Sequence, residues 1–282
     1  MTWAGAMPDG DYDSQPLLTA LRHRGLSADI RAWNDPSVDW TAAAVTVIRS
    51  TWDYHEDLTR FLDWITRVDA VTALFNPPGL IRWNTDKRYL LDLERDGIAI
   101  VPTLLVSATD AAGLERAITA NGWSDIVIKP AVSLDGHHVH RVSADTGVDA
   151  ILDSLAFAGT VITQPFMNRI VTSGELSLAF IGGQFSHAVR KRPARGEFRV
   201  QERLGGTVEG VLAPPGSIAF AARVLELIDG PPLYARIDII EGDDESPFLL
   251  TELELVEPSL FLATHGPAAA AFAAAIAEHL PS

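Results

Sequence analysis

A small α/β domain followed by α+β segments is the fold class this sequence predicts, and three patterns predict it. Helix-like and strand-like stretches alternate over about the first 80 residues, a strictly alternating stretch turns on a Gly182-Gly183 pair, and two apolar strands near the end are joined by a short polar loop. The chain of 282 residues, 47% apolar and 21% charged, is long enough for two or three subdomains with a real core.

In chain order, residues 14–24 space their leucines as a helix that stops at Gly25, a residue suited to a left-handed C-terminal cap. Residues 28–33 read as a short strand, and AAVTVIRS (43–50) as a buried one rich in β-branched side chains. Leu58, Phe61, Leu62, Ile65 and Val68 recur at helical spacing, so that helix packs one face on a sheet. Together they predict a doubly wound domain over residues 1–83, with MTWAG as the tail of a first strand whose beginning is missing. Ligands of such sheets bind beyond the carboxyl ends of the strands, where RSTWDY (49–54) falls. It reads either as a substrate loop, with Arg49 for a carboxylate, or as a helix-entry turn with packing aromatics.

NPPGLIRWNTDKRYLLDLERDG (76–97) reads as a boundary and then a helix capped by Asn84, with Leu90, Leu91 and Leu93 on its buried side. Lys87 then lies in the first turn, where the helix dipole disfavours a cation, so a nearby anion explains it better than stability does. VPTLLV, a helix over 110–121 and the strand DIVIKPAV follow, and Lys129 interrupts the apolar run of that strand. Only Lys87, Lys129 and Lys191 are lysines among 22 basic residues, so each stands out as placed for a compact ammonium. AVSLDGHHVHRV (131–142) reads as a turn that closes over a ligand, a weak phosphate-loop signal with Gly136 its only glycine. His137, His138 and His140 alternate faces there and fit solvated or ligand-adjacent side chains better than a zinc site.

A helix over 146–158 and the strand TVITQPF (160–166) lead to the hairpin ELSLAFIGGQFSHAVRKRP. Lys191 sits at its far end between Arg190 and Arg192, followed by a polar loop (196–206) with Arg199 and Arg203. That segment reads as a cationic flap over phosphate or as a solvated basic loop. A helix over 218–228 precedes the last two strands, and an Ala-rich helix over 267–280 closes the chain.

Those last strands carry the chemistry. LYARIDII (233–240) offers Asp238, and LTELELVEPSL (250–260) offers Glu252 and Glu254 on one face with Glu257 just beyond. If the strands pair, Asp238, Glu252 and Glu254 converge, and ionised groups gathered there persist only beside a cation or strong donors. Oxygen ligands without any cysteine suit a hard ion, Mg2+ or Mn2+, which works with substrate phosphates and waters. The absence of cysteine also removes disulfide and thiolate chemistry and fits a cytoplasmic protein. The net charge of -15 argues against nucleic acid or an anionic membrane as main partner, and no apolar run approaches a span or a secretion signal. No Ser/His/Asp relay, P-loop or Rossmann fingerprint competes.

The order of these motifs, Lys87 near a helix start, Lys129 in IVIKP, a turn-rich loop, ITQPF, a hairpin and then Asp238, Glu252 and Glu254, resembles the ATP-grasp superfamily over nearly the whole chain. The resemblance implies ATP held between two α+β subdomains, 84–165 and 166–282, behind a pre-ATP-grasp domain, with a carboxylate substrate activated as an acyl phosphate. It implies Lys87, Lys129 and Ser133 at the phosphates, Gln164, Pro165 and Phe166 at adenine, and Glu175 at ribose. Arg236, Arg199 and Lys191 would act on the reacting groups. Asp238, Glu252 and Glu254 resemble the metal ligands, with Glu254 where an Asn is usual in the D-alanine ligase branch, which adds negative charge. RSTWDY, NPPGLIRWNTDKRYL, VPT and ELELVEPSLF together resemble the D-cycloserine synthetase branch, which implies ring closure within one amino-acid-like acid. Substrate recognition then falls to Arg49, Ser50, Asp53, Glu257 and Ser259. A ligase joining two molecules and a non-catalytic nucleotide-binding protein are the rival readings, and the sequence leaves a homo-oligomer open.

Overall fold

In the computed structural model, residues 10–143, 152, 153, 155 and 159–280 are described. MTWAG and most of the helix expected over 146–158 lie outside the described residues. Strands β1 (Val45–Val47) and β2 (Ala73–Phe75) pair in parallel, with Val45 opposite Ala73 and Val47 opposite Phe75. Parallel pairing requires a crossover, which helix Leu58–Asp69 supplies. Asp57 caps this helix by accepting from the Arg60 amide at 3.0 Å, and Phe61, Trp64, Ile65 and Val68 bury its apolar stripe against Trp33, Ile48, Leu74 and Val256. Helix Ser14–His23 ends before Gly25 at φ +78° and packs Leu17 and Leu21 with the terminal helix Ala268–Ala277. The strand expected over 28–33 does not form, apart from a lone bridge at Ala32. Trp33 instead turns inward to donate its indole N–H to Asp53 at 2.5 Å, and the backbone turns with it.

The next sheet has the order β3-β6-β4-β5, antiparallel throughout, from β3 (Leu104–Ser107), β4 (Asp125–Pro130), β5 (His140–Ser143) and β6 (Thr160–Pro165). Ile126, Ile128, Val142 and Val161 face a core with Leu114 of helix Ala111–Ala120 and with Leu152 and Leu155. Alternation then turns Val127 and Lys129 to the opposite face, which is why a lysine interrupts this apolar strand.

The third sheet, β11-β10-β7-β8-β9, is antiparallel, from β7 (Glu175–Ile181), β8 (Gln184–Arg192), β9 (Thr207–Val211), β10 (Tyr234–Glu241) and β11 (Phe248–Glu254). Gly182 and Gly183, at φ +57° and +73°, make the two-residue hairpin turn that needs left-handed backbone twice. The alternation of β7 suggests one wet face, yet all seven of its residues are buried. Leu176, Leu178 and Phe180 join the core that includes Ala221 and Val224 of helix Ser217–Glu226, while Ala179 and Ile181 pack with Phe272 and Ala275 on the other side.

Residues 76–97 correct the expectation of one capped helix. They form two helices, Pro78–Asn84 and Tyr89–Arg95, with Lys87 between them rather than in a first turn. Pro78 starts the first helix early, and the Asn84 side chain is occupied elsewhere. No helix among the described residues is long and apolar enough to cross a membrane.

Candidate active site

The register of β10 with β11 sets Asp238 opposite Glu252 and Arg236 opposite Glu254, on one face of the sheet. Oxygens of Asp238, Glu252 and Glu254 lie within 4.8 Å of one another. The register shifts between Asp238 and Ile239, which makes Thr251 an extra residue. This bulge leaves both Leu250 and Leu253 in the core while Thr251 joins Glu252 on the cleft side, where its hydroxyl donates to Glu175 Oε1 at 2.7 Å. Although β11 is an edge strand, its outward groups are satisfied. Asn84 Nδ2 donates to the Leu253 carbonyl (2.8 Å), the Leu255 amide donates to Asn84 Oδ1 (2.8 Å) and the Leu253 amide donates to the Tyr89 hydroxyl (2.9 Å). Asn76 Nδ2 donates to the carbonyls of Leu255 (2.7 Å) and Tyr234 (2.8 Å), so the two carboxylate strands are pinned in register.

Cations face these acids. Lys87 Nζ lies 3.1 Å from Glu252 Oε1 and donates to the Ser133 carbonyl at 2.5 Å. Glu175 and Lys191 are opposite one another across β7 and β8, and Lys191 Nζ pairs with Glu175 (2.6 Å) and Asp238 (2.8 Å). Arg236 chelates Asp238 through Nε (3.0 Å) and Nη2 (2.9 Å), reaches Glu254, and donates from Nη1 to the Ser259 carbonyl at 3.1 Å. Lys129 has no ion-pair partner among the described residues. All three lysines line one cavity of about 680 Å3, within the range of small-molecule sites.

The acids respond differently to this setting. Burial opposes ionisation of Asp238, but Arg236 and Lys191 override it and hold the carboxyl well below its usual range. At Glu252, Lys87 and then Lys129 override burial in the same direction. At Glu254 burial wins over Arg236 and pushes the carboxyl up to about 7. Burial, reinforced by Glu254, also raises Glu257 well above the ordinary value, and Glu257 Oε2 is a buried atom without a hydrogen-bond partner among the described residues. Lys129 shifts down because burial outweighs the attraction of Glu252. A partly buried ammonium with no carboxylate in direct ion-pair contact among the described residues is the group in this cleft with most to gain from an anion.

Ser133, Gln164, Pro165, Glu175, Arg199, Glu257 and Ser259 also line the cavity. Phe166 does not: β6 ends at Pro165, and the Phe166 ring lies under Arg141, 3.5 Å from its guanidinium carbon. Arg49, Ser50 and Asp53 are likewise not brought to the cavity. Arg49 is buried in an ion pair with Asp13, Ser50 is fully buried, and Asp53 accepts from Trp33 and from Asn34 (2.7 Å). Their neighbour Trp52 takes the place at the cleft, its indole N–H donating to the Glu257 carbonyl at 2.9 Å. Tyr12 and Thr251 line it too, and sequence reasoning missed all three. The aromatic in RSTWDY was a usable signal for Trp52, whereas a bulge leaves none for Thr251. Within the basic hairpin end only Lys191 reaches the acids, since Arg192 pairs with Glu209 and Arg190 donates to the Ser173 carbonyl. In the loop that follows, Arg199 is forked onto Glu197, and Arg203 crosses to Asp135 of the turn after β4.

Two sheets that enclose a cleft, with Lys129 on one, carboxylates on paired strands of the other and Lys87 reaching the same cleft, define the ATP-grasp class of ligases. The family model for the N-terminal domain of D-cycloserine synthetase DcsG matches residues 1–76, and that for the ATP-grasp domain of prokaryotic glutathione synthetase matches residues 95–260. The cycloserine biosynthesis protein DcsG of Streptomyces lavendulae is 35% identical over 287 residues, covering 96% of this chain and 94% of that protein. The crystal structure of D-cycloserine synthetase DcsG superposes with a TM-score of 0.89 at 32% identity, covering 99% of this chain and 98% of that one. The ATP-grasp ligase PsnB, in complex with a phosphomimetic variant of its minimal precursor, Mg and ADP, shares the fold at a TM-score of 0.66 and 16% identity over 96% of each chain. The chain belongs to the D-cycloserine synthetase family of ATP-grasp ligases, enzymes that use ATP with a divalent metal ion.

Proposed function

We propose that this enzyme phosphorylates the carboxylate of an amino-acid-like substrate and then closes a ring within it, converting O-ureido-D-serine to D-cycloserine. The relatedness to DcsG supports the substrate. The single observation that carries the chemistry is the convergence of Asp238, Glu252 and Glu254 within 4.8 Å in a cleft that also holds Lys87 and Lys129. An all-oxygen donor set kept ionised at Asp238 and Glu252 by cationic neighbours fits Mg2+, with Mn2+ as a substitute. Bound there, the ion supplies neutralisation of phosphate charge and a template for in-line transfer.

The chain's own groups do the rest. Lys87 and Lys129 grip the triphosphate, and Ser133 stands beside it. Gln164 and Pro165 border the adenine, with the Gln164 amide oriented by donation from Nε2 to Thr103 Oγ1 at 2.8 Å. Glu175, fixed by Lys191 and Thr251, faces the ribose. The substrate carboxylate attacks the γ-phosphorus and ADP leaves, while Arg236, Lys191 and Arg199 balance the charge that spreads over the transferring group. The substrate's own oxygen-linked nitrogen then attacks the acyl carbon and phosphate departs, and water cleaves the carbamoyl group from that nitrogen, which leaves as carbon dioxide and ammonia. Both reacting groups belong to one molecule, so the cleft has only to hold its conformation. Glu257, whose Oε2 lacks a partner among the described residues, takes the substrate's ammonium beside Ser259. Residues 1–83, 84–165 and 166–282 act as pre-ATP-grasp domain, phosphate-side lobe and metal-side lobe. Mass spectrometry of O-ureido-D-serine incubated with enzyme, ATP and Mg2+ tests the reading. D-cycloserine with ADP, phosphate, carbon dioxide and ammonia is expected from that acid alone; AMP as product, or a requirement for a separate amine, overturns it.

A further inference from the structure

Asp13 and Arg49 form a buried ion pair outside the cleft that the chemistry above does not use. Arg49 Nη2 lies 3.3 Å from Asp13 Oδ2 and 3.9 Å from Asp11 Oδ2, and its guanidinium carbon lies over the rings of Tyr234 (5.2 Å) and Phe272 (5.7 Å). The Asp13 carboxylate spends its remaining capacity on one stretch of backbone. It accepts from the amides of Leu260 (2.6 Å) and Phe261 (3.1 Å) at Oδ2 and from Leu262 (2.7 Å) at Oδ1. Between those amides Phe261 stands at φ +54°, a conformation that a bulky side chain holds only when its surroundings impose it.

This stretch is also a wall of the cleft. Ser259 and Phe261 line the cavity, the Ser259 carbonyl accepts from Arg236 Nη1 at 3.1 Å, and the Arg236 guanidinium carbon lies 5.6 Å from the Phe261 ring centre. Without the carboxylate, three N–H groups lose their shared acceptor, and Phe261 is left to the bonds on the carbonyl side, from His187 to Leu260 (2.8 Å) and from Thr264 to Phe261 (2.9 Å), to keep it left-handed. The Ser259 carbonyl would then leave Arg236. We infer that Asp13, oriented by Arg49, is a positioning residue that fixes residues 259–262 as the acid-substrate wall against Arg236. Arg49 thus serves substrate binding through that wall and not by contact. The inference rests on the proposed function in giving this side of the cleft to the acid.

Asp13→Asn keeps one acceptor and removes the charge, Arg49→Lys keeps the charge without the fork, and Ile65→Val, in the apolar cluster around helix Leu58–Asp69, serves as a stability control. Hydrogen exchange of a peptide spanning 258–264 is read together with KM for ATP and KM for the acid. Asp13→Asn is expected to speed exchange in that peptide about tenfold, to raise KM for the acid about tenfold, and to leave KM for ATP within twofold. Arg49→Lys moves both readouts in the same direction by less, and Ile65→Val lowers the thermal midpoint without moving either. Unchanged exchange in 258–264, or equal rises in both KM values, overturns the inference. If the wild-type enzyme turns over no acid, the proposed function fails on its own and the exchange measurement still decides whether Asp13 holds the wall.

Discussion

Lys87→Met removes an ammonium while keeping the length and apolar stem of the side chain. At 3.1 Å from Glu252 Oε1 and an effective dielectric of about 20, the lost attraction is about 5 kcal/mol before solvation is counted. Most of that is offset by the burial of Lys87, and the Glu252 side chain is 28% exposed toward the cleft, so the orphaned carboxylate recovers water. The net loss of folding stability is therefore expected to be only about 1–2 kcal/mol. On the proposed assignment of Lys87 to phosphate, catalysis is affected more, because the ammonium then acts on charge that develops in a pocket poor in water. A fall of about 100- to 1000-fold in kcat/KM for ATP, about 3–4 kcal/mol of transition-state stabilisation, is expected. Steady-state ADP release beside urea denaturation of the same preparations separates the two effects. A kcat/KM within threefold of wild type, or a loss of activity no larger than the loss of stability, would refute the assignment of Lys87 to phosphate.

Asn84→Ala strips two bonds from the outer edge of β11 and leaves a buried amide and carbonyl unmet, so urea denaturation should show a loss of about 2–4 kcal/mol. Gly174 stands at φ +82°, and a Cβ there would come within 2.5 Å of the Lys191 carbonyl. Gly174→Ala is therefore expected to cost about 1–3 kcal/mol and to reduce turnover by displacing the start of the Glu175–Lys191 pair, read by thermal unfolding and ADP release. The side-chain hydrogen bond from Arg199 holds the Glu197 carboxyl down at about 2. A depressed folded-state value favours the folded protein above pH about 4.5, and the advantage is lost as pH falls toward about 2. The pair is solvent-accessible, so the contribution is about 1 kcal/mol or less; Glu197→Gln should reduce the difference in stability between pH 7 and pH 3 by that amount.

Much of the site was legible because its residues break local rules. A lysine inside an apolar strand, three acids at the end of a buried one and the scarcity of lysine each carry an electrostatic cost, and Lys87, Lys129 and Lys191 all end at one cavity. What could not be read depends on contacts distant in sequence. Asn84 looks like a helix cap because its use is to pin β11, 169 residues away. Arg49 looks like a carboxylate binder because an arginine at a strand end is ambiguous until Asp13, 36 residues earlier, claims it. Thr251 faces the cleft only because a bulge breaks the two-residue period on which strand reading depends. The full burial of β7 needed knowledge of two helices packing on opposite faces, where alternation alone implies one.

Isotope transfer tests the central claim of carboxylate activation by phosphoryl transfer. With both carboxylate oxygens of the acid substrate labelled with 18O, attack on the γ-phosphorus and later cleavage at the acyl carbon carry one labelled oxygen into the phosphate that is released. Mass spectrometry of that phosphate should therefore find one 18O per turnover, with ADP unlabelled. Label recovered in AMP, or product formed with unlabelled phosphate, would contradict the account.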